Sequence, residues 1–432
     1  MSGGRYMSAH EAAAELGISL ATLYAYVSRG AIRSEAVSGS RRVRTYLAED
    51  IQRLKERKEM RQHPEKIVSK AMSWGESIID SELTLVRDDR VYYRGRDAVE
   101  LAESWTIEQV AALLWGFTES ENIQQVEHLF AKEQPQPKLL QRLTAFREKA
   151  YIANMSQLEQ FQMILPLLRA EDLRAYHPTQ EGALAASVRL AWLFTCFMAR
   201  VTTPQATLAE TLQQAWAPHD TQATQILNAA MILNADNELS VSAFTARCIT
   251  STGATLYDAI AGAIAAFHGT HITERNGQMF RFVRSIDQPQ QVKQILIERM
   301  KQGGDIPGFD HPLFPTGDAR IAKLLQLLHT QYPEATGTKL VETIVAEVEQ
   351  MLGHHPRILL AYAALALNLN LTDEQTQSLF ALARSIGWIG HALEQAQSPQ
   401  KIRPRARYTG IQPGRAYIRG QSKREEVGPG YM

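Results

Sequence analysis

Between Ile306 and Arg320 the chain reads Ile-Pro-Gly-Phe-Asp-His-Pro-Leu-Phe-Pro-Thr-Gly-Asp-Ala-Arg. A run this dense in Gly, Pro, Asp and His cannot continue a helix, and it gathers an imidazole, carboxylates and a guanidinium on one loop. Loops of that composition are where binding and catalysis concentrate, so a site is expected there. A second concentration is basic: Arg29, Arg33, Arg41, Arg42, Arg44, Arg53, Lys55, Arg57, Lys58 and Arg61 outnumber the acids between Tyr6 and about Gln62. Guanidinium forks of this kind bind phosphate. Across the whole chain Lys plus Arg and Asp plus Glu are equal at 46 each, so no global field draws the molecule to nucleic acid or to an anionic membrane, and any such binding is local. The two cysteines, Cys196 and Cys248, lack the spacing of a metal site or a disulfide framework. They read as buried thiols in a reducing cytoplasm.

The elements that position these groups fall into two parts, as expected for 432 residues. In the first, residues 1–62, Ser8 caps a helix with Ala12, Ala13 and Leu16 inward, and Gly17 ends it. Ser19 caps a second helix, Leu20 to Arg29, closed by Gly30. That second helix presents Thr22, Tyr24, Tyr26, Ser28 and Arg29, the polar and basic surface of a recognition helix. Val37 to Tyr46 alternates around a Ser-Gly turn and predicts a basic hairpin, or wing. His63-Pro64 breaks the helical run from Glu49 to Met60, so residues 63–72 form a linker. From about Ser73 to 410 apolar residues recur at helical spacing with caps at Thr106, Ser120 and Thr372, and only Leu83 to Tyr93 reads as strand. The basic, glycine-rich stretch 411–432 reads as a mobile tail. No N-terminal stretch has the form of a secretion signal. The most apolar segment, Ala183 to Ala199, is interrupted by Arg189 and is too short to span a bilayer comfortably, so it is expected to be a buried core helix, with no membrane partner.

The first part, with "SAHEAAAELGISLATLYAYVSRG" followed by "GSRRVRTYLAEDIQRL", resembles the DNA-binding head of the MerR-like winged-helix family, in its short excisionase-type form. The resemblance implies DNA binding through residues 6–62. Thr22, Tyr24 and Arg29 of the second helix and Arg41, Arg42 and Arg44 of the wing would bind DNA, a wing arginine such as Arg42 meeting phosphate and the N-terminal residues of the second helix reaching base edges. A protein-interaction module built from the same helices is the alternative.

The second part resembles the citrate synthase family. "VYYRGRDAVELA" (Val91 to Ala102), "IPGFDHPLFPTGDAR" (Ile306 to Arg320), "LFALARSIGWIGHALEQ" (Leu379 to Gln395) and "RPRARYTG" (Arg403 to Gly410) are similar to that family's motifs and occur in its order. The resemblance implies a mainly α fold of large and small helical subdomains, a homodimer, and condensation of acetyl-CoA or another acyl-CoA with oxaloacetate. It implies no permanently bound cofactor; acyl-CoA would be a co-substrate or ligand, and a citrate-like di- or tricarboxylate the other. Arg320, Arg384 and Arg403 match the arginines that grip the dicarboxylate, with Arg403 reaching into the partner's site. His311 matches the histidine that polarises the keto carbonyl. Asp310 stands before it where the family has glycine, which alters backbone conformation and local charge, and a neighbouring carboxylate favours the charged imidazolium.

Other positions depart further. Condensation needs a carboxylate to remove a methyl proton and a histidine to stabilise the enolate. The family's Pro-Asn-Val/Ile-acid segment aligns with Pro356-Arg357-Ile358-Leu359, and no Asp or Glu occurs between Gln350 and Asp373. The family's His-Gly-Gly turn is represented by Phe267-His268-Gly269-Thr270-His271-Ile272-Thr273, where His271 is the better match and His268 a competitor. A further substrate-binding histidine is replaced by Asn237, which donates a hydrogen bond but takes no charge. Losing the base alone removes a factor of roughly 10² to 10⁴ in rate. The sequence therefore favours a ligand-sensing transcriptional regulator. An active citrate or 2-methylcitrate synthase, or a pseudo-subunit paired with an intact paralogue, stand as alternatives.

Overall fold

In the basic head, Ser8 and Glu11 cap each other: Glu11 N–H donates to Ser8 Oγ (3.3 Å) and Ser8 N–H to Glu11 Oε2 (2.8 Å). This starts α1 (Ala9–Leu16), and Gly17 ends it at φ 57°, a left-handed conformation that glycine adopts without a Cβ penalty. The computed structural model of the chain describes residues 6–28, 32–36, 44–47, 50–51, 79–149, 152–176, 179–404, 406 and 408–410. The second helix, α2 (Leu20–Ser28), opens with Thr22 N–H donating to Ser19 Oγ at 3.2 Å.

Three short antiparallel strands complete the head in the order β1 (Tyr6–Met7), β3 (Arg44–Leu47), β2 (Ser34–Ala36). In the described part of the hairpin Ser34 pairs with Tyr46 and Ala36 with Arg44; the expected hairpin residues 37–43 lie outside the described residues. The linker 63–72, the tail 411–432 and most of the run from Glu49 to Met60 lie outside them too. Ala12, Leu16, Leu23, Ile32, Tyr46 and Ile51 form the head's small core. Arg33 belongs to its framework: Nε and Nη2 close on the buried Asp50 carboxylate at 2.9 and 3.0 Å.

By compactness the chain divides into Met1–Asp80 with Arg403–Met432, and Ser81–Ile402. The second unit opens with the antiparallel hairpin of β4 (Thr84–Arg87) and β5 (Arg90–Tyr93), extended by β6 (Arg96–Asp97). Its two-residue turn places Asp88 and Asp89 at φ 51° and 59°, the handedness that matches strand twist. The rest is helical among the described residues, as the spacing predicts.

Thr106 and Thr372 cap helices as expected, each in a reciprocal box with a glutamine three residues on. Ser120 does not: the Ser120–Lys132 helix includes it as its first residue, and its N-cap Glu119 makes no side-chain bond. Burial of Ile123, Val126 and Phe130 sets that helix's register, which leaves the hydroxyl one position too far inside to cap. The apolar Gln180–Ala199 helix is long and apolar enough to cross a membrane by composition, yet 78% of that window is buried within the unit. Its Arg189 faces Asp172 at 3.6 Å.

The central element is the Asp373–Gln397 helix, buried along Leu379, Ala383, Ile386 and Trp388. It can lie against the Ala235–Asp236 backbone only because Gly387 has no side chain: a Cβ there would fall 2.3 Å from Asp236 Oδ1 and 2.6 Å from Ala235 O. Gly387 N–H donates to Ala235 O at 3.0 Å, which fixes the distance between helix and segment.

Candidate functional site

That close approach brings Arg384, one turn before Gly387, onto the segment Asn234 to Asn237 that follows the Ala223–Leu233 helix. Arg384 is buried and donates through Nε to Asn234 O (3.2 Å) and through Nη2 to Asn234 Oδ1 (2.5 Å). Burial, with Arg320 adding to it, lowers the pKa of this guanidinium, and Asp236 opposes the shift. Beneath the segment, buried Asp236 faces His391 Nε2 at 3.4 Å, and Arg247 Nε donates to His391 Nδ1 at 2.9 Å. The imidazole proton therefore sits on Nε2, aimed at Asp236. Burial opposes the Asp236 charge, but His391 and Arg384 prevail and hold its pKa below the ordinary carboxylate value.

Arg320 is the second residue of the Ala319–Gln331 helix, whose N-cap is Asp318. The pair is folded on itself: Arg320 donates through Nε to Asp318 Oδ1 (2.9 Å) and through Nη2 to Asp318 Oδ2 (2.7 Å). Nη1 reaches Leu233 O (3.2 Å), and Nη2 reaches Asn237 Oδ1 (3.3 Å). Burial opposes this cation, but Asp318 overcomes it and leaves the pKa raised. The bidentate face of Arg320 thus rests on Asp318, while Asn237 is tied to the same guanidinium. Two aromatic rings that composition gave no reason to single out back these cations: Arg320 lies 4.8 Å over Phe314 and Arg384 lies 5.5 Å over Phe380.

His311 stands in the loop before Arg320, its ring 5.3 Å from that of Phe314. Leu313 N–H donates to His311 Nδ1 (3.2 Å), so the neutral ring carries its proton on Nε2. Two expectations about Asp310 are corrected here. The aspartate adopts φ 52°, a left-handed conformation that glycine takes more readily, so the residue change has not forced this position out of it. Its carboxylate is turned to another loop: His355 N–H donates to Oδ1 (3.0 Å) and His354 Nδ1 lies 2.6 Å from Oδ2. The imidazolium is accordingly not favoured. Burial, then Arg357, then Arg320 push the His311 pKa down to about 4, against a smaller opposing effect of Asp318. His311 is a neutral donor at neutral pH.

The loop that holds Asp310 leads into the Ile358–Asn368 helix, with Arg357 as its N-cap. Asp310 N–H donates to His355 O (2.7 Å), Arg357 N–H to Gly308 O (2.8 Å), and Arg357 Nε to the Asp310 carbonyl, so the two loops run as a short antiparallel pair. Leu359, two residues on, enters a small apolar pocket with Leu158, Phe267, Phe280 and Phe380, whose polar lining is His268, Asn276 and Gln377. None of the described lining residues is acidic.

His268 therefore shares a pocket with Leu359. It is the C-cap of the Leu256–Phe267 helix, and its Nε2 lies 3.2 Å from Ser156 Oγ. Ser156 in turn donates to Glu159 Oε2 at 2.7 Å, a relay across more than a hundred residues of sequence that no local spacing signals. The side chain of His271, in the first turn of the Thr270–Arg284 helix, lies outside the described residues.

Arg403 is exposed and belongs to the stretch beyond Ile402, outside the Ser81–Ile402 unit. The structure thus brings together Arg320, Arg384, Asn237 and His311. In the head, Thr22, Tyr24 and Arg44 are exposed, and Arg44 Nη1 donates to Ser34 Oγ at 3.3 Å. Arg29, Arg41 and Arg42 lie outside the described residues.

Comparison with known proteins gives the same two parts. The family described as "Citrate synthase, C-terminal domain" matches residues 71–405, and "MerR HTH family regulatory protein" matches residues 7–64. Citrate synthase 2 of Bacillus subtilis is 24% identical over 349 residues, covering 76% of this chain and 93% of the relative. 2-Methylcitrate synthase 1 of Corynebacterium glutamicum is 28% identical over 186 residues, covering 42% of this chain and 49% of the relative. Among solved structures, citrate synthase from Pyrobaculum aerophilum superposes with a TM-score of 0.69 at 20% identity, covering 78% of this chain and 91% of that one. The Thermoplasma acidophilum enzyme, solved in a ternary complex with carboxymethyl coenzyme A and oxaloacetate, gives 0.68 at 18% identity, covering 80% and 96%.

Proposed function

Since this chain belongs to the citrate synthase family and carries an N-terminal MerR-like helix-turn-helix, we propose that it is a regulator whose body binds a citrate-like carboxylate and whose head binds DNA. The observation that carries this reading is Leu359. Removal of a weakly acidic methyl proton requires a base within hydrogen-bond reach, and the residue that aligns with the family's carboxylate is a leucine, which lines a pocket with Phe267, Phe280 and Phe380. Arg320 is tied to Asn237 and Arg384 to Asn234 on one segment, and His311 keeps its Nε2 proton for donation to a carbonyl. A site with hydrogen-bond donors and no carboxylate base suits recognition better than conversion.

One solved relative, a ternary complex with carboxymethyl coenzyme A and oxaloacetate, supplies the ligand classes to try, a dicarboxylate and an acyl-CoA. The regulator acts in the cytoplasm as a homodimer, with Arg403 contributed to the partner's pocket and two heads presented to a two-fold operator. Ligand biases the assembly only through a difference in affinity between its states. The test is an operator titration of the full chain with and without oxaloacetate, citrate and acetyl-CoA. A shift of threefold or more with one of them, lost in Arg384→Gln, supports the reading; unchanged affinity with all three removes it.

A second reading, slow condensation, has one observation in its favour. The relay Glu159–Ser156–His268 fixes an imidazole beside Leu359, and an imidazole can exchange protons. Release of CoA from acetyl-CoA or propionyl-CoA with oxaloacetate, abolished by His268→Ala, would establish it over the first.

A further inference from the structure

Beneath the segment from Asn234 to Asn237 four ionisable side chains lie end to end: Asp236, His391, Arg247 and Glu394. The first three are buried to within 0, 1 and 2% exposure. Interior charges are costly unless each is met by a partner, so the members of such a line hold one another in place. Asp236 faces His391 Nε2, His391 Nδ1 accepts from Arg247 Nε at 2.9 Å, and Arg247 Nη2 pairs with Glu394 Oε2. The far end of the line is the start of the body. Arg247 Nη2 also donates to Ser81 Oγ (3.0 Å), the same hydroxyl accepts from Leu83 N–H (3.3 Å), and Glu82 N–H donates to Glu394 Oε1 (2.8 Å). Residues 81–83 are where the chain coming from the head enters this unit. The near end is the carboxylate site, since Arg384 holds Asn234 and its charge acts on Asp236.

One link in the line is slack. Asp236 Oδ2 and His391 Nε2 are 3.4 Å apart, and among the described residues neither atom completes a hydrogen bond, nor does Asp236 Oδ1. Buried polar atoms in that condition favour any small movement that joins them. Asp236 divides its attraction between His391 and Arg384, and a ligand carboxylate on Arg384 would take up part of that cation's charge. Asp236 then leans on His391. The imidazole moves toward it, and because Nδ1 of the same ring is the acceptor for Arg247, it moves off Arg247. We propose that Asp236, His391, Arg247 and Glu394 couple the carboxylate site to the entry of the chain from the head, so that a ligand on Arg384 loosens residues 81–83. This names the regulation of that site and rests on the reading that the body binds carboxylates. The line is one physical element that ligand and entry segment both bias, which a coupling between them requires.

Hydrogen exchange of the full chain, read by mass spectrometry on a peptide spanning residues 81–86, tests it with saturating citrate and oxaloacetate, whose binding is first measured by calorimetry. Exchange at the Glu82 and Leu83 amides is expected to rise roughly threefold or more with ligand, because their acceptors, Glu394 and Ser81, are held by Arg247. A second arm uses Ser81→Ala and Glu394→Gln, changes at the outer end that leave Arg384 and Asn237 untouched. In both variants ligand affinity should stay within about twofold, while the ligand-induced shift in operator affinity falls by about half or more on a logarithmic scale. Exchange that stays level or slows when ligand is bound, or a full operator shift in both variants, overturns the inference and leaves the carboxylate-binding reading standing. Ligand that binds and speeds exchange without moving operator affinity removes the regulator reading and leaves the coupling standing. Binding of neither ligand removes both.

Discussion

A neutral imidazole at His311 gives the site a hydrogen-bond donor without a charge, and this has a measurable signature. With a folded pKa of about 4 against an ordinary 6.5, the unfolded chain binds more protons between those values. The contribution of His311 to stability is therefore complete above pH 6.5 and is lost as pH falls toward 4. Denaturant unfolding of His311→Gln should show a shallower loss of stability across that window than the wild-type chain. In an NMR titration the His311 resonances should move with a midpoint below pH 5, and saturating citrate should raise it, since an opposite charge favours the imidazolium. A midpoint near 6.5 in the free protein would contradict the burial and the arginines around it. The neighbouring Asp310 offers a second residue-scale check. It holds a left-handed φ and two loop contacts, so Asp310→Ala loses the contacts and keeps the strain, whereas Asp310→Gly loses the contacts and relieves it. Thermal unfolding should rank Ala below Gly by about 1 kcal/mol.

At the scale of elements, the site depends on one close approach and several caps. Gly387 lets the Asp373–Gln397 helix touch the Ala235–Asp236 backbone, and a methyl group there would meet Asp236 Oδ1 at 2.3 Å. Gly387→Ala should cost about 1–3 kcal/mol by overpacking, and it should also weaken carboxylate binding, because it pushes Arg384 off Asn234. A melting curve and a ligand titration on the same sample separate these two effects; unchanged values in both would mean that the helix can move aside. In the head, Ser8→Ala removes one half of the capping box and should destabilise α1 by about 1 kcal/mol, seen as a lower melting temperature of the head's transition. The loops around His311 and Arg357 are held by backbone pairing and by Gly308 at φ 98°, where a Cβ would press on Met279 and Leu360. Glycine is fixed there by space as much as by conformation.

At the scale of the whole molecule, a chain with no net charge carries a local basic excess in the head, so DNA affinity should carry the salt dependence of those few contacts. Arg44→Ala should weaken binding about equally across DNA sequences and reduce the slope of log affinity against log salt by about one. A changed base preference with an unchanged slope would instead place Arg44 on a base edge. Thr22→Ala and Tyr24→Ala, on the exposed face of α2, should alter preference between operators with little change in slope. Communication between body and head under the proposed function is expected as a ligand-dependent shift in these curves and as the reciprocal shift in citrate affinity when operator is present.

The sequence alone determined the helical character of the body and the caps at Ser8, Thr106 and Thr372, because each follows from local composition, and motif order singled out Arg320, Arg384, Asn237 and His311, which the fold gathers. It also exposed the lack of an acid near Leu359, which is a matter of counting. What it could not supply depends on residues far apart in the chain. Only the fold turned the Asp310 carboxylate toward His354, closed Arg320 on Asp318, and set Phe314 and Phe380 under the guanidinium groups. The protonation of His311 was decided the same way. A carboxylate next in sequence predicts an imidazolium, whereas burial and arginines brought from other helices prevail, since electrostatic effects follow distance and dielectric in space and not adjacency along the backbone.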